Sequence, residues 1–315
     1  MGYPFTYPFI KLLFGPKRLR IGAYVHYPTI STDMLESLPT CNTNIKMKAK
    51  KLYWKIFALL YRGCGGSVDV VMANSSWTAR HIRSLWSRPS ASSATLTHPG
   101  KVRVVFPPCS VSEITSAIPI TPSSPPRNPY ILSIAQFRPE KRIDLLIRSF
   151  AHFLSHLPST SPLKSSARLI LLGSVRDDED NTRVYELRLL AHELGVKDQV
   201  DFVLNSPWSG VLEWLGKSWV GVNAMWNEHF GIGVVEYLAA GLVGVVHDSG
   251  GPKEDIVVDG LGKSPSQLSR FFIPYVFNSP FSFYPSGIPC QSPHPSVIPF
   301  LPAINSFATS QLIKC

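Results

Sequence analysis

The sequence WNEHFGIGVVE, residues 226–236, decides how the surrounding chain folds. An apolar run at Val220–Met225 precedes it, and the apolar residues within Gly233–Ala240 have helical spacing. Between the two lies a Gly-x-Gly turn, so the pattern predicts a strand, a glycine turn and a helix N-terminus. Free backbone N–H groups and the positive end of the helix dipole meet at such a turn. The stretch therefore predicts an anion-binding site.

Strands and helices alternate on both sides of this stretch. The predicted strands are Tyr130–Ala135, Arg168–Leu172, Val200–Leu204, Val220–Met225 and Val243–His247, and the predicted helices are Lys141–Leu157, Asn181–Leu194, Val211–Gly216 and Gly233–Ala240. Strict alternation predicts a parallel sheet, because parallel strands need crossover connections that place helices on both faces. We therefore expect an α/β domain with a doubly wound parallel sheet at residues 130–260.

The remaining sequence divides into three further zones. Residues 1–118 form an expected smaller α/β domain, with strands predicted at Ile21–Val25, Val68–Ala73 and Lys101–Phe106 and a helix at Ser75–Trp86. Five prolines within residues 119–129 predict an interdomain linker. Residues 261–315 contain nine prolines and ten serines and only three charged residues, so we expect a low-complexity, poorly ordered tail without chemistry.

The net charge of +10 is unevenly distributed along the chain. Residues 1–110 hold 15 Lys and Arg against 3 Asp and Glu, whereas residues 111–315 hold 16 against 18. Any surface that binds polyanions is therefore expected in the N-terminal third. The five cysteines are widely spaced, which argues against a disulfide framework or a zinc site. Nucleic-acid binding would rest on charge alone, because no recognition motif accompanies it, and we expect no nucleic-acid partner.

Two carboxylates flank the predicted anion site, Glu228 before the glycine turn and Glu236 inside the helix. In one interpretation the glycines only permit close packing and both carboxylates are solvated. A second is a close acid pair, as in a retaining glycosidase. A third is a nucleotide-sugar site, in which carboxylates accept hydrogen bonds from vicinal hydroxyls beside a phosphate cradle. The strand, turn and helix around the two residues favour the third.

Two other segments are expected at the same crevice, because ligands of open α/β sheets bind at the carboxyl ends of the strands. The loop Gln136–Lys141 follows the first strand of the larger domain, and its Arg138 and Lys141 are candidates to neutralise a diphosphate. The alternative is a solvated basic loop paired with Glu140 and Asp144. His26 ends a strand of the smaller domain, where a packed or surface histidine is the ordinary alternative.

A lysine-rich segment near the N-terminus has an amphipathic pattern. Apolar Trp54, Phe57 and Leu60 are interleaved with basic residues at 48, 50, 51 and 55. One hypothesis is a helix that lies at a membrane surface, and the other is a solvated charged helix.

Longer stretches resemble the α-1,2-mannosyltransferases of asparagine-linked glycosylation, a family of retaining GT-B glycosyltransferases. The similar stretches are Tyr24–Leu35, Asn74–Thr78, Gln136–Lys141, Asn227–Glu236 and Ser249–Lys253. The E-x7-E spacing of Glu228 and Glu236 is typical of the wider group, whereas the run that follows His26 is more specific. The resemblance extends over about residues 20–259.

The resemblance implies a GT-B fold of two Rossmann-like domains, with the N-terminal acceptor-side domain incomplete and the C-terminal domain binding a nucleotide sugar. It implies transfer of mannose from GDP-mannose, with retention, no metal and no other cofactor, to a trimannosyl-core oligosaccharide on dolichyl diphosphate. The implied setting is the cytosolic face of the endoplasmic reticulum membrane, with other early mannosyltransferases as candidate partners.

Site residues follow from the same resemblance. Arg138 and Lys141 match the diphosphate-binding pair, and Arg138 takes the arginine role because Gln136 stands where related enzymes have an arginine. Glu236 matches the ribose ligand and His26 the histidine near the transferred sugar. Glu228 matches the donor-sugar contact, and the donor-binding segment continues through His229, Phe230, Gly231, Ile232 and Gly233.

The chain departs from the family pattern at both ends. A membrane anchor and a glycine-rich loop of the family precede the point at which this chain begins, and the family's final helices are replaced by the proline- and serine-rich tail. An alternative hypothesis is therefore a non-catalytic fragment that keeps a domain for binding GDP or a nucleotide sugar.

Overall fold

The computed structural model describes residues 5–15, 19–28, 45–86, 102–121 and 124–257. It contains two parallel sheets, each flanked by helices. The strands are β1 Gly22–Val25, β2 Val70–Ala73, β3 Val102–Val104, β4 Asn128–Ile134, β5 Arg168–Gly173, β6 Val200–Leu204, β7 Ser218–Asn223 and β8 Val243–Val246. The α-helices are Thr6–Phe14, Ile45–Gly65, Ser76–Trp86, Val111–Ala117, Ile143–His156, Leu163–Ser166, Asp178–Glu193, Trp208–Lys217 and Ile232–Ala239. The predicted α/β class is confirmed.

The smaller sheet has the order β1-β2-β3, and its described helices pack around it to form what we call the first lobe. Apolar side chains from the strands meet the helices Ile45–Gly65 and Ser76–Trp86 in one core, whose buried members include Ala23, Tyr61, Val71 and Ile82. Ser75 caps the second of these helices, because its hydroxyl accepts a hydrogen bond from the Thr78 N–H at 3.0 Å.

The larger sheet, with its helices, forms the second lobe. Its strand order is β6-β5-β4-β7-β8 and every pairing is parallel. From β4 the chain adds β5 and β6 on one side of the sheet and then β7 and β8 on the other. The boundary between β4 and β7 is therefore a topological switch point. In open α/β sheets this point opens a crevice at the carboxyl ends of the two strands, where ligands bind. The loops after β4 and β7 are therefore the natural site of chemistry.

Two apolar cores sandwich the larger sheet, as double winding requires. One face packs against the helices Ile143–His156 and Asp178–Glu193, and the other against Trp208–Lys217 and Ile232–Ala239. Tyr237 is fully buried at the switch point, where its hydroxyl accepts from the Ile134 N–H at 2.7 Å and donates to the Val222 carbonyl at 3.4 Å. The hydroxyl thus satisfies backbone groups of both strands that border the crevice.

The predicted elements of the second lobe are present, with some bounds shifted. The helix predicted at Asn181–Leu194 begins at Asp178, because the Asp177 carboxylate caps it by accepting from the Asp180 N–H at 2.9 Å. The helix predicted at Val211–Gly216 runs from Trp208 to Lys217, directly after Pro207.

The proline-rich stretch between the sheets is docked against the second lobe. The Arg127 guanidinium donates to the carbonyls of Leu215, Ser218 and Ala240, and β4 already begins at Asn128. Preceding it, the helix Val111–Ala117 buries Ile114 in the core of the second lobe. No helix was predicted for these residues, which were expected to belong to the first domain; in the structure the apolar face of the helix instead lies beside the Ile232–Ala239 helix. The boundaries of the domains and linker otherwise stay predictions.

Two helices at the start of the chain contact each other on the first lobe. Phe5, just before the helix Thr6–Phe14, packs edge-on against Phe57 of Ile45–Gly65 at 5.5 Å between ring centroids, and Lys11 pairs with Asp69 at 2.6 Å. None of the helices in the described ranges is long and apolar enough to cross a bilayer. The predicted tail, residues 261–315, lies outside the described residues.

Candidate active site

A lysine and a carboxylate meet at the switch-point crevice. The Lys141 Nζ donates to Glu228 Oε2 at 2.6 Å, and the Asn223 amide donates to the same oxygen at 3.2 Å. Lys141 comes from the 3-10 turn Pro139–Lys141 after β4, Asn223 ends β7, and Glu228 lies in the following loop. The two loops predicted to face one crevice are therefore joined by a direct ion pair.

Opposing influences act on the Glu228 carboxylate, whose side chain is only 13% exposed. Burial acts to raise its pKa, but the Lys141 charge and the hydrogen bonds from Lys141 and Asn223 outweigh burial, so the pKa lies below its ordinary value. Glu228 is therefore ionised at neutral pH.

The loop that carries Glu228 rests on a pair of glycines. A Cβ at Gly250 would lie 2.3 Å from the Glu228 carbonyl oxygen, and one at Gly251 would lie 2.4 Å from the His229 carbonyl oxygen. The Gly251 N–H donates to the Glu228 carbonyl at 2.7 Å, and the Asn227 N–H donates to Ser249 Oγ at 2.8 Å. The absence of side chains at the two glycines thus permits the backbone approach that supports the loop.

The glycine turn leads into a helix N-terminus, as predicted. Gly231 is the N-cap of the helix Ile232–Ala239 with φ of 102°, a left-handed conformation that favours glycine, and no side chain caps the helix. Within the described part of the chain, the N–H groups of Ile232 and Gly233 have no intramolecular acceptor. Donors and the helix dipole are thus available to an anion at this point.

Arg138 lies in the same loop as Lys141 and brings a second cation. Its guanidinium makes a 3.7 Å ion pair with Glu140, and its buried Nε has no hydrogen-bond partner among the described residues. A buried guanidinium N–H without an acceptor is costly, which fits a position that an anionic ligand completes.

Glu236 lies about one turn inside the helix and is half-buried. Among the described residues its carboxylate has no hydrogen-bond or ion-pair partner, and burial raises its pKa above the ordinary value. Cys109 is near enough for the Glu236 charge to add to burial in raising the thiol pKa. The carboxylate therefore retains its acceptor capacity for a ligand.

Aromatic contacts join this loop to the first lobe. The His229 ring lies 4.2 Å from the Tyr27 ring and 5.6 Å from the Trp77 ring, measured between centroids. The Phe230 ring stacks on Phe106 at 5.4 Å. Burial lowers the pKa of His229, although the Glu228 charge opposes the shift.

His26 directly follows β1 and is exposed. Its ring lies edge-on against Tyr24 at 4.7 Å between centroids, and within the described ranges it makes no hydrogen bond or ion pair with Lys141 or Glu228. The neighbouring Tyr27 makes the contact across the crevice instead. The roles predicted for His26 and for the other site residues stay predictions.

Several residues at the crevice were missed by the sequence analysis. Asn223 holds Glu228, Tyr27 and Trp77 contact His229, and the buried Asn74 has an amide oxygen without a partner in the described ranges. A polar Asn223 at the end of an apolar run was the available signal. The ring contacts had no local signal, because the residues come from different lobes.

Taken together, the crevice offers cations, free N–H donors and two carboxylates in different environments. It matches a ligand with a charged diphosphate and hydroxyl groups. The described residues contain no group of three His, Cys, Asp or Glu side chains arranged to hold a metal ion. The expectation that no metal is needed stays a prediction.

Comparison with family models and known proteins gives a consistent result. Residues 1–86 match the model described as ALG11 mannosyltransferase N-terminus, and residues 117–262 match that described as Glycosyl transferases group 1. A Neurospora crassa protein named GDP-Man:Man(3)GlcNAc(2)-PP-Dol alpha-1,2-mannosyltransferase is 50% identical in an alignment of 278 positions that covers 82% of this chain and 49% of the relative. A human protein of the same name is 41% identical over 82% of this chain and 51% of the relative. The chain thus spans about half the length of these relatives.

Solved structures show the same architecture. The apo structure of OtsA matches with a TM-score of 0.57 and 14% identity, over 87% of this chain and 63% of that one. An alpha,alpha-trehalose 6-phosphate synthase from Burkholderia multivorans matches with a TM-score of 0.58 and 15% identity, over 85% and 60%. At these identities the likeness supports the predicted GT-B fold and nothing further. The chain thus carries a group 1 glycosyltransferase domain at residues 117–262 and the N-terminal region of the ALG11 mannosyltransferases at residues 1–86, in a GT-B fold.

Proposed function

We propose that the chain is an α-1,2-mannosyltransferase that moves mannose from GDP-mannose to a Man(3)GlcNAc(2) oligosaccharide on dolichyl diphosphate. The observation that carries the proposal is the ion pair of Lys141 with Glu228 beside an uncapped helix N-terminus. The names of the relatives supply the donor and the acceptor.

In this proposal the second lobe binds the donor. Lys141, Arg138 and the N–H groups of Ile232 and Gly233 contact the diphosphate, and the Glu236 carboxylate accepts from the ribose hydroxyls. The Glu228 carboxylate accepts from the mannose, with the backbone of His229–Gly233 completing the pocket. His26 lies on the acceptor side, near the transferred sugar.

The chemistry requires stabilisation of a departing diphosphate. Negative charge grows on the phosphate oxygens as the C–O bond to the sugar breaks, and preorganised cations and N–H donors stabilise that charge. The leaving oxygen accepts the acceptor's proton on the same face, so the configuration is retained and no strong protein base is required. The sequence expectation of no metal fits this charge distribution.

A donor-binding and transfer assay tests the proposal. Purified chain is titrated with GDP by calorimetry and then incubated with GDP-mannose and the lipid-linked acceptor. Lys141→Ala is expected to weaken GDP binding about tenfold to 100-fold, since a hydrogen bond to a charged group contributes about 1.5 to 3 kcal/mol. Arg148→Ala removes the same charge at an exposed position of the Ile143–His156 helix and serves as the matched control. Mannose transfer by Lys141→Ala at the wild-type rate would overturn the site assignment.

A second candidate function is binding without catalysis. The donor site lies in the described second lobe, whereas the chain spans about half the length of its relatives. GDP binding with no transfer to the lipid-linked acceptor would favour this alternative over the enzyme.

We also propose that the first lobe contacts the endoplasmic reticulum membrane from the cytosolic side. The two contacting helices Thr6–Phe14 and Ile45–Gly65 expose a run of large apolar side chains, with Leu12 80% and Leu59 62% exposed. Of the apolar residues predicted on the second helix, Leu60 is exposed, whereas Trp54 and Phe57 are half-buried and contact each other. Tyr53, Ile56 and Leu59 are exposed beside Leu60. Exposed Lys50 and Lys55 accompany them, which suits an anionic interface.

Co-sedimentation with vesicles tests the membrane contact. The wild-type chain is expected to bind vesicles that contain anionic lipid, and Leu12→Glu combined with Leu59→Glu is expected to abolish binding. Leu189→Glu changes an exposed leucine of the second lobe and is the control. Equal binding by all three proteins would refute this surface.

A further inference from the structure

The most informative contact outside the donor site is the set of rings around His229. Tyr27 and Trp77 belong to the first lobe, and His229 directly follows Glu228 in the second. Both rings lie within about 35° of the imidazole plane, at interplanar angles of 34° and 31°. The imidazole is therefore held by two aromatic faces that are independent of its own lobe.

The first-lobe side of this contact is itself anchored to the second lobe. The Ser76 N–H, one residue before Trp77, donates to the Asp255 carboxylate at 2.8 Å. Arg80, in the same helix, pairs with Glu254. Trp77 is only 4% exposed, and its other face contacts His81 at 4.1 Å between centroids. The position of the tryptophan is thus well determined.

The second-lobe side leaves little freedom between His229 and Glu228. Glu228 and His229 share one peptide bond, and the carbonyls of both residues approach the glycine pair 250–251 closely. Burial keeps the imidazole neutral at neutral pH by lowering its pKa, which suits a ring packed among other rings. A backbone shift at His229, once the ring contacts are lost, is transmitted through the shared peptide to Glu228.

We propose that Tyr27 and Trp77 are positioning residues for mannosyl transfer: they hold His229 across the crevice and thereby fix the Glu228 carboxylate beside Lys141. This inference rests on the proposed function. It predicts that kcat and GDP affinity respond differently, because the proposed diphosphate contacts lie wholly in the second lobe. Loss of the ring contact lowers kcat and leaves GDP binding unchanged.

The test uses Tyr27, which is 41% exposed and tolerates truncation better than the buried Trp77. Tyr27→Ala is expected to lower kcat about tenfold to 100-fold, the effect of a displacement of about 1 Å at a reacting centre. Its GDP affinity is expected to equal that of the wild type. Tyr27→Phe keeps the ring and is expected to restore kcat. Tyr185→Ala, at a residue 70% exposed on the second lobe, is the control.

A structural readout accompanies the kinetics. Amide hydrogen exchange across residues 227–233 is expected to accelerate in Tyr27→Ala and to remain unchanged in Tyr27→Phe and Tyr185→Ala. Unchanged exchange in Tyr27→Ala, or a parallel loss of GDP affinity and kcat, would overturn the positioning role. A wild-type chain that binds GDP without transferring mannose would instead overturn the proposed function, so the two failures are separately visible.

Discussion

The Lys141 ammonium lies 2.6 Å from the Glu228 carboxylate, although 87 positions of sequence separate the two residues. The contact exists because β4 and β7 are neighbours in the sheet, so the loops after them face one another at the switch point. An anionic ligand competes with Glu228 for the Lys141 ammonium here, because both are negatively charged.

Glu228→Gln removes the carboxylate charge and keeps the shape of the side chain. GDP affinity is expected to be unchanged or higher, because repulsion of the diphosphate is lost, while transfer falls about 100-fold. Calorimetry and a transfer assay measure the two effects. Weaker GDP binding in this variant would contradict the arrangement.

The same substitution changes the acid sensitivity of folding. The pKa of Glu228 is lowered in the folded chain, so its stabilisation is present above the ordinary glutamate pKa and is lost as the pH falls through the folded value. The free energy of unfolding of Glu228→Gln is expected to be lower than that of the wild type by about 1 to 3 kcal/mol at neutral pH, and by less in acid. Denaturant unfolding at a series of pH values measures it. Glu213→Gln, in an exposed pair with Lys217, should show little effect at any pH.

Glu236→Gln tests the ribose contact. GDP affinity is expected to fall about tenfold, because a charged acceptor of two hydroxyl groups is lost. The wild type should bind 2′,3′-dideoxy-GDP about tenfold less tightly than GDP, and the variant should no longer distinguish the two nucleotides. Glu186→Gln, at an exposed site, is the control. Undiminished discrimination in Glu236→Gln would exclude the contact.

Protonation should mimic that variant. Burial raises the pKa of Glu236, so the charged form is lost at a higher pH than for an ordinary glutamate. GDP affinity is therefore expected to decline as the pH falls through the raised value, and the decline should be absent in Glu236→Gln. Calorimetry of both proteins across the acid range provides the comparison.

Gly250→Ala tests the support under the site loop. Gly250 and Gly195 have similar positive φ angles, 68° and 71°, so alanine strains the backbone equally at both. A Cβ at Gly195 meets nothing within 4 Å, whereas one at Gly250 meets the Glu228 backbone. Gly195→Ala is expected to cost about 1 kcal/mol, and Gly250→Ala clearly more, together with loss of GDP-mannose turnover. Thermal unfolding measures the difference, and equal costs would refute the steric argument.

Asp255→Ala tests the link between the lobes. The variant loses a charged acceptor at the N-terminus of the Ser76–Trp86 helix, so a loss of about 1 kcal/mol is expected. Amide exchange should rise in the first turn of that helix, which carries Trp77. Asp248→Ala breaks an exposed pair with Lys253 and should leave both measurements near wild type. A larger loss of stability and faster exchange in Asp248→Ala than in Asp255→Ala would show that Asp255 does not support the helix.

Much of the second lobe was predictable from local pattern. The strand Val200–Leu204 was predicted with its observed bounds, and the glycine turn before Ile232 was placed correctly, because apolar periodicity and glycine act over a few residues. The helix at Val111–Ala117 was not predicted, since its seven residues carry too little periodicity. Its place in the second lobe depends on tertiary contacts, which include the burial of Ile114 and the hydrogen bond from the Trp208 indole to Glu113 at 2.7 Å.

In the candidate site, too, some features were predictable from the sequence and others were not. Its residue types and their order along the chain, from Arg138 to Glu236, are properties of the sequence, and alternation of strands and helices is sufficient to bring their loops to one sheet edge. The Lys141–Glu228 pair, the Gly250 support and the rings of Tyr27 and Trp77 on His229 were decided only by tertiary structure. Each is a contact between segments distant in sequence, and its geometry depends on how lobes and loops pack, which no local preference encodes.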